Sequence, residues 1–350
     1  MNEKIREIEE EIRKTPYHKA TEHHIGRLKA KISKLKQVEL APKGKGGGGL
    51  GFAQKKSGDA TVVLIGPPSV GKSSLLNELT NAKARTEIWP FTTLTVIPGM
   101  MDFKGARIQI FDLPGIISGA SMGQGRGKEV LSVVRSADLI LLMTDVKKQD
   151  EISFLEKELY NVGARINEKE PDVIIKKLNK GGVRVNAIKG LSFGNETVME
   201  VAKEFRLANS EINIREKITL DELIDVFSKD RIYIPGLVVV NKEDLSSKKK
   251  DDSWTYISVK ENEGIEELKN QIFEKLCFLR IYLKKPGEEI DFDDPLIMKK
   301  GEKILDVVEK IFPEDSRKEK ALLWGENASF EGQQISLNRE LKDMDILSFS

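Results

Sequence analysis

An unbroken apolar run, Thr61-Val62-Val63-Leu64-Ile65, leads into Gly66-Pro67-Pro68-Ser69-Val70-Gly71-Lys72-Ser73 and then into Ser74-Leu75-Leu76-Asn77-Glu78-Leu79. The order is buried strand, glycine loop, helix, with the spacing G-x-x-x-x-G-K-[ST]. This pattern constrains the fold more than any other in the chain. It calls for a strand inside a sheet, a helix packed behind it, and a loop at the sheet's carboxyl edge, where ligands bind. Gly66 and Gly71 let the backbone turn with its N–H groups facing inward. Those groups and the helix N-terminus form a nest for an anion. Lys72 can reach the outer phosphates of a nucleotide, and the Ser73 hydroxyl can ligate Mg2+. Pro67, Pro68, Ser69, Val70 and Ser74 complete the cradle. The competing reading is an ordinary glycine turn, and three further segments downstream argue against it.

Length and composition bound the rest. The 350 residues are too many for one compact core and point to two or three domains. With 39% hydrophobic and 32% charged residues the chain is of the globular class. A net charge of +1 excludes polyanion binding by bulk charge. A single cysteine, Cys277, excludes an intramolecular disulfide and suits a reducing compartment. No stretch has the length and apolarity of a membrane span, and Met1-Asn2-Glu3-Lys4 does not begin a secretory signal. The expectation is a cytoplasmic protein with no membrane partner.

The N-terminal region, residues 1–59, stands apart. Ile5, Ile8 and Ile12 recur at helical spacing, as do Ile25, Leu28, Ile32 and Leu35, with Thr15-Pro16 between the runs. Two helices packed as a hairpin fit this pattern. Between Arg13 and Lys56 lie twelve Lys/Arg against two acids. That asymmetry reads as a solvated helix face or as an electrostatic footprint for RNA, and its local concentration favours RNA. Gly46–Gly49 reads as a flexible linker.

From Thr61 onward strands alternate with helices, which predicts an α/β fold with an open, doubly wound, mostly parallel sheet over residues 60–276. Val96–Phe103 and Ala106–Asp112 pattern as a hairpin around Lys104-Gly105. Leu139–Asp145, Leu237–Asn241 and Thr255–Ser258 pattern as further strands, and Gly264–Leu279 as an amphipathic helix. The interval between Asp145 and Leu237 exceeds what one crossover needs. An inserted α+β subdomain of about 165–234 fills it. It carries an expected hairpin, Val173–Leu178 with Val183–Ala187, a helix near Glu196–Leu207, and a capping-box pattern at Thr219-Leu220-Asp221-Glu222. Residues 277–350 again mix strands and a helix, with twelve Lys/Arg against sixteen Asp/Glu, a balance that disfavours unaided phosphate binding.

Three segments complete the chemistry. Asp112-Leu113-Pro114-Gly115 ends a strand, so Asp112 can hold a Mg2+-bound water and the Gly115 N–H can bond a γ-phosphate, a contact that exists only with a triphosphate. Pro90-Phe91-Thr92-Thr93-Leu94 lies before the next strand, and either threonine can complete a Mg2+ shell. Asn241-Lys242-Glu243-Asp244 follows Val238-Val239-Val240. Asp244 can accept from guanine N1–H and N2–H2, whereas adenine would leave the carboxylate unpaired. The Lys242 stem can cover the base, Asn241 can brace the loop, and a backbone N–H within Ser258-Val259-Lys260 can meet guanine O6.

Taken together these motifs resemble an Obg-superfamily GTPase, and specifically the developmentally regulated GTP-binding (DRG) family. The resemblance extends to Asn179-Lys180-Gly181-Gly182-Val183-Arg184 and to Leu283-Lys284-Lys285-Pro286-Gly287 with Pro295-Leu296-Ile297-Met298. It implies a GTPase binding GTP and GDP with Mg2+, in which Lys72, Thr93 and Gly115 act catalytically and Thr93 is the threonine on the metal. It implies a C-terminal TGS module of β-grasp fold, ribosome or RNA contact in translation, and a partner protein of the DRG-binding kind. Ile116 stands where many GTPases carry a water-orienting glutamine, so slow intrinsic turnover is expected. Ser69 stands where related K+-stimulated GTPases often have asparagine, and a hydroxyl is a weaker K+ ligand. Two alternatives remain open: a nucleotide-gated RNA-binding scaffold, and an ATPase of the related TGS-containing family.

Overall fold

The computed structural model describes residues 2–40, 58–80, 87–88, 95–113, 126–245, 251–285, 289–312 and 320–349. In chain order the first part is α1 (Asn2–Lys14), α2 (Glu22–Leu40), β1 (Ala60–Ile65), α3 (Lys72–Thr80), β2 (Glu87–Ile88), β3 (Thr95–Phe103), β4 (Ala106–Asp112), α4 (Arg126–Ser136) and β5 (Leu139–Asp145). There follow α5 (Glu151–Val162), β6 (Ala164–Ile166), β7 (Val173–Lys177), β8 (Val183–Ala187), α6 (Asn195–Glu204), β9 (Ser210–Ile214), α7 (Leu220–Ser228) and β10 (Ile232–Ile234). The last part is β11 (Gly236–Asn241), β12 (Thr255–Tyr256), α8 (Ile265–Lys275), β13 (Phe278–Leu283), β14 (Leu296–Lys299), α9 (Ile304–Ile311), β15 (Ala321–Trp324), β16 (Gln333–Ile335) and β17 (Asp345–Phe349). The chain forms two compact units, Met1–Gly49 with Glu158–Tyr233, and Leu50–Lys157 with Ile234–Ser350.

The second unit contains a seven-stranded sheet in the order β12-β11-β5-β1-β4-β3-β2. β1 runs parallel to β4 and β5, and β11 parallel to β5 and β12. Every residue of β1 and β5 is buried, which is why both read as near-continuous apolar runs rather than alternating ones. Parallel pairing brings the carboxyl ends of β1, β4, β5 and β11 to one edge. Leu64 registers against Asp112, and Asn241 against Asp145. β3 and β4 form the expected hairpin. Its turn residues Lys104 and Gly105 both have positive φ, 50° and 81°, the turn geometry that matches strand twist.

Two sequence expectations shift here. The last sheet strand ends at Tyr256, and Ser258 makes only an isolated bridge to Glu263. The amphipathic helix stops at Lys275, because Cys277 turns left-handed at φ 54° and Phe278 begins β13. Phe278 nevertheless stays in the same apolar core as Ile272 and Phe273, edge-on to the Phe273 ring. β13 then belongs to a five-stranded mixed sheet, β14-β13-β17-β15-β16. Helix α9 packs on it through Ile304 and Val307 against Ile281, Leu323 and Leu347.

The first unit joins the N-terminal helices to the inserted segment. Its three-stranded sheet has the order β7-β9-β8. The expected hairpin of β7 with β8 is therefore corrected: β9 lies between them, antiparallel to β7 and parallel to β8. The wide Asn179–Gly182 turn accepts the start of β9 instead, with Leu178 N–H donating to Asn209 O at 3.0 Å and Ser210 N–H to Gly182 O at 3.1 Å. Ile212 and Ile214 then sink into the core with Val198, Val201, Leu223 and Phe227. Helix α2 enters the same core by Ala30. Gly26 lets it approach α6, since a Cβ there would stand 3.0 Å from Thr197 Cγ2. The buried Glu22 carboxylate caps α6, accepting from Gly194 N–H at 2.8 Å and Thr197 Oγ1 at 2.7 Å.

Candidate nucleotide site

The loop after β1 is built by close approach as well as by turning. A side chain on Gly66 would collide with the Met143 carbonyl of β5. Gly71 has φ +99°, and a Cβ there would collide with the Asn241 amide. The glycine pair thus answers to neighbouring strands as much as to a ligand. Lys72 is buried, and its ammonium donates to Gly66 O at 2.9 Å and Pro67 O at 2.8 Å. Burial pulls its pKa below the usual lysine value, against the raising effect of the Asp112 charge. Ser73 Oγ donates to Asp112 Oδ2 at 2.7 Å. Asp112 is fully buried, and burial lifts its carboxyl above the ordinary range despite Ser73 and Lys72.

The other Asp112 oxygen, Oδ1, is buried and has no hydrogen-bond partner among the described residues. An orphaned carboxylate oxygen at the end of β4, beside a serine hydroxyl in the first turn of α3, is the oxygen donor set a hard divalent cation takes. The residues present fit Mg2+.

The end of β11 braces the loop and is itself braced by the segment after β12. Asn241 Nδ2 donates to Val70 O at 2.9 Å, and its Oδ1 accepts from Val259 N–H at 3.1 Å. Lys242 Nζ donates to Ser69 O at 2.9 Å. Asp244, in a single 3-10 turn over Glu243–Leu245, accepts from Ser258 Oγ at 2.7 Å. Of the backbone N–H groups offered by Ser258-Val259-Lys260, Ser258's bonds Glu263 O and Val259's bonds Asn241. That of Lys260 remains without a protein partner among the described residues.

The structure thus brings together Gly66, Pro67, Ser69, Val70, Gly71, Lys72, Ser73, Asp112, Asn241, Lys242, Asp244, Ser258 and Val259. Pro68, Ser74, Leu113 and Lys260 lie adjacent in sequence. Phe91, Thr92, Thr93, Pro114, Gly115 and Ile116 lie outside the described residues.

Comparison with known proteins decides the family. The family described as "50S ribosome-binding GTPase" matches residues 61–180, and the "C-terminal region of MMR_HSR1 domain" matches residues 180–278. A GTP-binding protein of Methanocaldococcus jannaschii is 50% identical over 361 residues, covering 99% of this chain and 92% of its own. Human developmentally-regulated GTP-binding protein 2 is 39% identical, covering 99% of this chain and 98% of its own. The chain belongs to this GTPase family, close to the DRG proteins. A solved structure, the cytosolic domain of the T. maritima FeoB iron transporter in a GDP form, has 19% identity and a TM-score of 0.33, covering 73% of this chain and 75% of that one. That is too distant to inform the site.

As a P-loop GTPase the chain hydrolyses GTP. No helix among its described residues is long and apolar enough to cross a membrane. Sequence reasoning about the GTPase missed one residue at the site, Asp145. It is buried, ends β5, and accepts from Lys242 Nζ at 2.9 Å. It belongs to no recognised motif. The available signal was its position at a strand end of the parallel sheet, where ligands bind.

Proposed function

We propose that the chain works as a slow Mg2+-dependent GTP switch that acts on the ribosome in translation. The observation that carries the nucleotide reading is the convergence of Asn241 and Lys242 on the carbonyls of the Ser69–Val70 segment. It supports a guanine pocket formed jointly by the phosphate loop and the base loop. In this reading Lys72 exchanges its two carbonyl partners for phosphate oxygens, and Asp244 accepts from the guanine edge with Ser258 Oγ holding its carboxylate. Ser73 and Thr93 would hold Mg2+ directly, and the Asp112 carboxylate would hold it through a bound water. A bound Mg2+ would supply positive charge to offset that of the phosphates. Gly115 senses the γ-phosphate. The Ile116 side chain has no polar atom with which to orient water, so hydrolysis waits on backbone, metal, a K+ ion or a partner. Replacing Asp244 by Asn should shift preference from guanine to xanthine nucleotides. Unchanged GTP affinity in that variant, or tighter ATP than GTP binding in the wild type, would remove Asp244 from the base site.

The ribosomal role draws on the matched family's description and on the basic N-terminal region. Part of that basic charge is committed internally. Lys29 pairs with Asp221 at 2.9 Å, Lys34 donates to Glu204 O at 2.8 Å, and Lys36 approaches Asn161 Oδ1 at 3.5 Å. The polyanion contact then falls to exposed Arg13, Lys14, Lys19, Arg27 and Lys31, and to Lys43, Lys45, Lys55 and Lys56, which lie outside the described residues. A TGS-type module is supported by the five-stranded mixed sheet with one helix. Single-turnover GTP hydrolysis with and without ribosomes tests the role. Stimulation is expected. Its absence would favour a nucleotide-gated RNA scaffold in the cytoplasm.

A further inference from the structure

Asp145 sits where β5 ends beside β11, registered directly against Asn241. A buried carboxylate is costly unless each oxygen finds a donor. Asp145 Oδ1 accepts from the Lys147 N–H at 3.0 Å, and Oδ2 from Lys242 Nζ at 2.9 Å. Lys242 passes the link on to Ser69 O. Two members of this chain of contacts are left-handed without being glycine, Ser69 at φ 65° and Lys242 at φ 63°. That conformation costs an ordinary residue about 1 kcal/mol or more, so something must hold it.

The consequence for a ligand follows from peptide planarity. In a trans peptide the C=O and the next N–H point in opposite directions. Lys242 holds the Ser69 carbonyl and Asn241 holds the Val70 carbonyl. The N–H groups of Val70 and Gly71 are thereby turned to the other side of the loop, the side of the anion nest. Asn241 is fixed independently by Val259. Lys242 is partly exposed, and Asp145 supplies the buried negative charge that keeps it in place.

We infer that Asp145 is a positioning residue for guanine-nucleotide affinity: through Lys242 it locks the base loop to the phosphate loop and slows nucleotide release. The inference rests on the guanine reading given above. Asp145 touches no substrate atom in it and acts through Lys242 alone.

Dissociation of a fluorescent mant-GDP tests it in the full-length chain. The near-isosteric Asp145→Asn keeps an oxygen but loses the charge. Trading a charge-assisted bond for a neutral one should speed release about tenfold. Lys242→Met, with Asp145 intact, should raise the rate by at least as much. The double variant should release no faster than Lys242→Met alone, because the two residues act as one unit. A merely structural Asp145 would give additive effects in that cycle. Release from Asp145→Asn at the wild-type rate, or full additivity, overturns the inference and leaves the guanine site standing. Wild-type protein that does not bind mant-GDP overturns both.

Discussion

Two buried aspartates, one in each compact unit, show how differently this chain spends its interior charge. In the unit built from the N-terminal helices and the insertion, Asp225 receives Arg165 Nε at 2.6 Å, Arg165 Nη2 at 2.8 Å and Arg231 Nε at 2.7 Å. Arg231 continues to Ser33 Oγ at 2.9 Å on α2, and Arg165 stacks on the Tyr160 ring at 3.5 Å. Both oxygens of Asp225 are used. In the nucleotide unit, Asp112 is buried at least as deeply, yet among the described residues it has one hydroxyl on one oxygen and no partner on the other. A satisfied buried carboxylate holds architecture together. A half-satisfied one is a cost that a folded chain carries where a ligand will supply the missing partner.

The sharpest way to break this comparison is to remove the satisfied carboxylate. Asp225→Ala leaves the buried Arg165 guanidinium without its anion and takes from Arg231 one of its two carboxylate partners, and should cost about 3–5 kcal/mol of stability. A downward shift of the urea midpoint measures it. A loss below about 1 kcal/mol would mean the network is replaceable surface charge. Next in size is Lys72→Ala. It removes the buried cation of the phosphate loop, and nucleotide affinity should fall by about 3 kcal/mol or more, over a hundredfold in Kd by titration calorimetry. Retained binding would contradict the phosphate-loop reading.

The described part of the candidate site was legible because its pieces are contiguous in sequence. Gly66–Ser73 and Asn241–Asp244 each carry their spacing within a few residues, Asp112 ends a strand, and apolar runs before them announce the strands. What escaped is long-range. The intrusion of β9 between β7 and β8 depends on where Asn209 and Ser210 find backbone partners, which no local pattern records. The commitment of Lys29, Lys34 and Lys36 to contacts within their own unit is equally invisible in a count of basic residues. Asp145 escaped because a lone acidic residue at a strand end looks like a simple terminator. The second reason for the glycines also appears only in three dimensions, where Met143 and Asn241 crowd Gly66 and Gly71.

A smaller effect sharpens the contrast by pH. Burial holds the Asp112 carboxyl above its unfolded value, so the native state binds the proton more tightly than the unfolded chain does. Asp112's own contribution to nucleotide-free stability is then greatest while it is protonated. It falls as pH rises from the unfolded value through the raised native one, and stays lowered above it. Asp112→Asn has no such charge. Its stability relative to wild type should be level in acid, climb through that window, and settle about 1 kcal/mol higher near neutrality, the order of one unsatisfied buried group. The same variant should lose the Mg2+-dependent part of GTP binding. Thermal unfolding without nucleotide across pH, paired with GTP titration with and without Mg2+, reads both effects. A variant less stable than wild type at neutral pH would mean that Asp112 serves the fold and not the ligand.

The smallest expected change lies back in the satisfied unit. Thr219 caps α7 as a complete capping box: its hydroxyl accepts from Glu222 N–H at 3.2 Å, while Glu222 Oε2 accepts from Thr219 N–H at 2.6 Å. Both bonds are local, and both are solvent-exposed, so water competes for each group once the partner is lost. Thr219→Ala removes the hydroxyl but leaves the reciprocal Glu222 bond to the backbone intact. Only one orphan N–H of the first turn is released, and the expected cost is about 1 kcal/mol. Asp225 sits on the same helix two turns on, so the variant also asks whether the arginine network depends on how firmly α7 begins. Because Asp225 draws three bonds from Arg165 and Arg231, the network should hold α7 in place even with a frayed first turn. Combining Thr219→Ala with Asp225→Ala should therefore cost more than the two single losses added together, since each alone is masked by the other's hold on the helix. Simple additivity would show that the cap and the buried charges stabilise α7 independently.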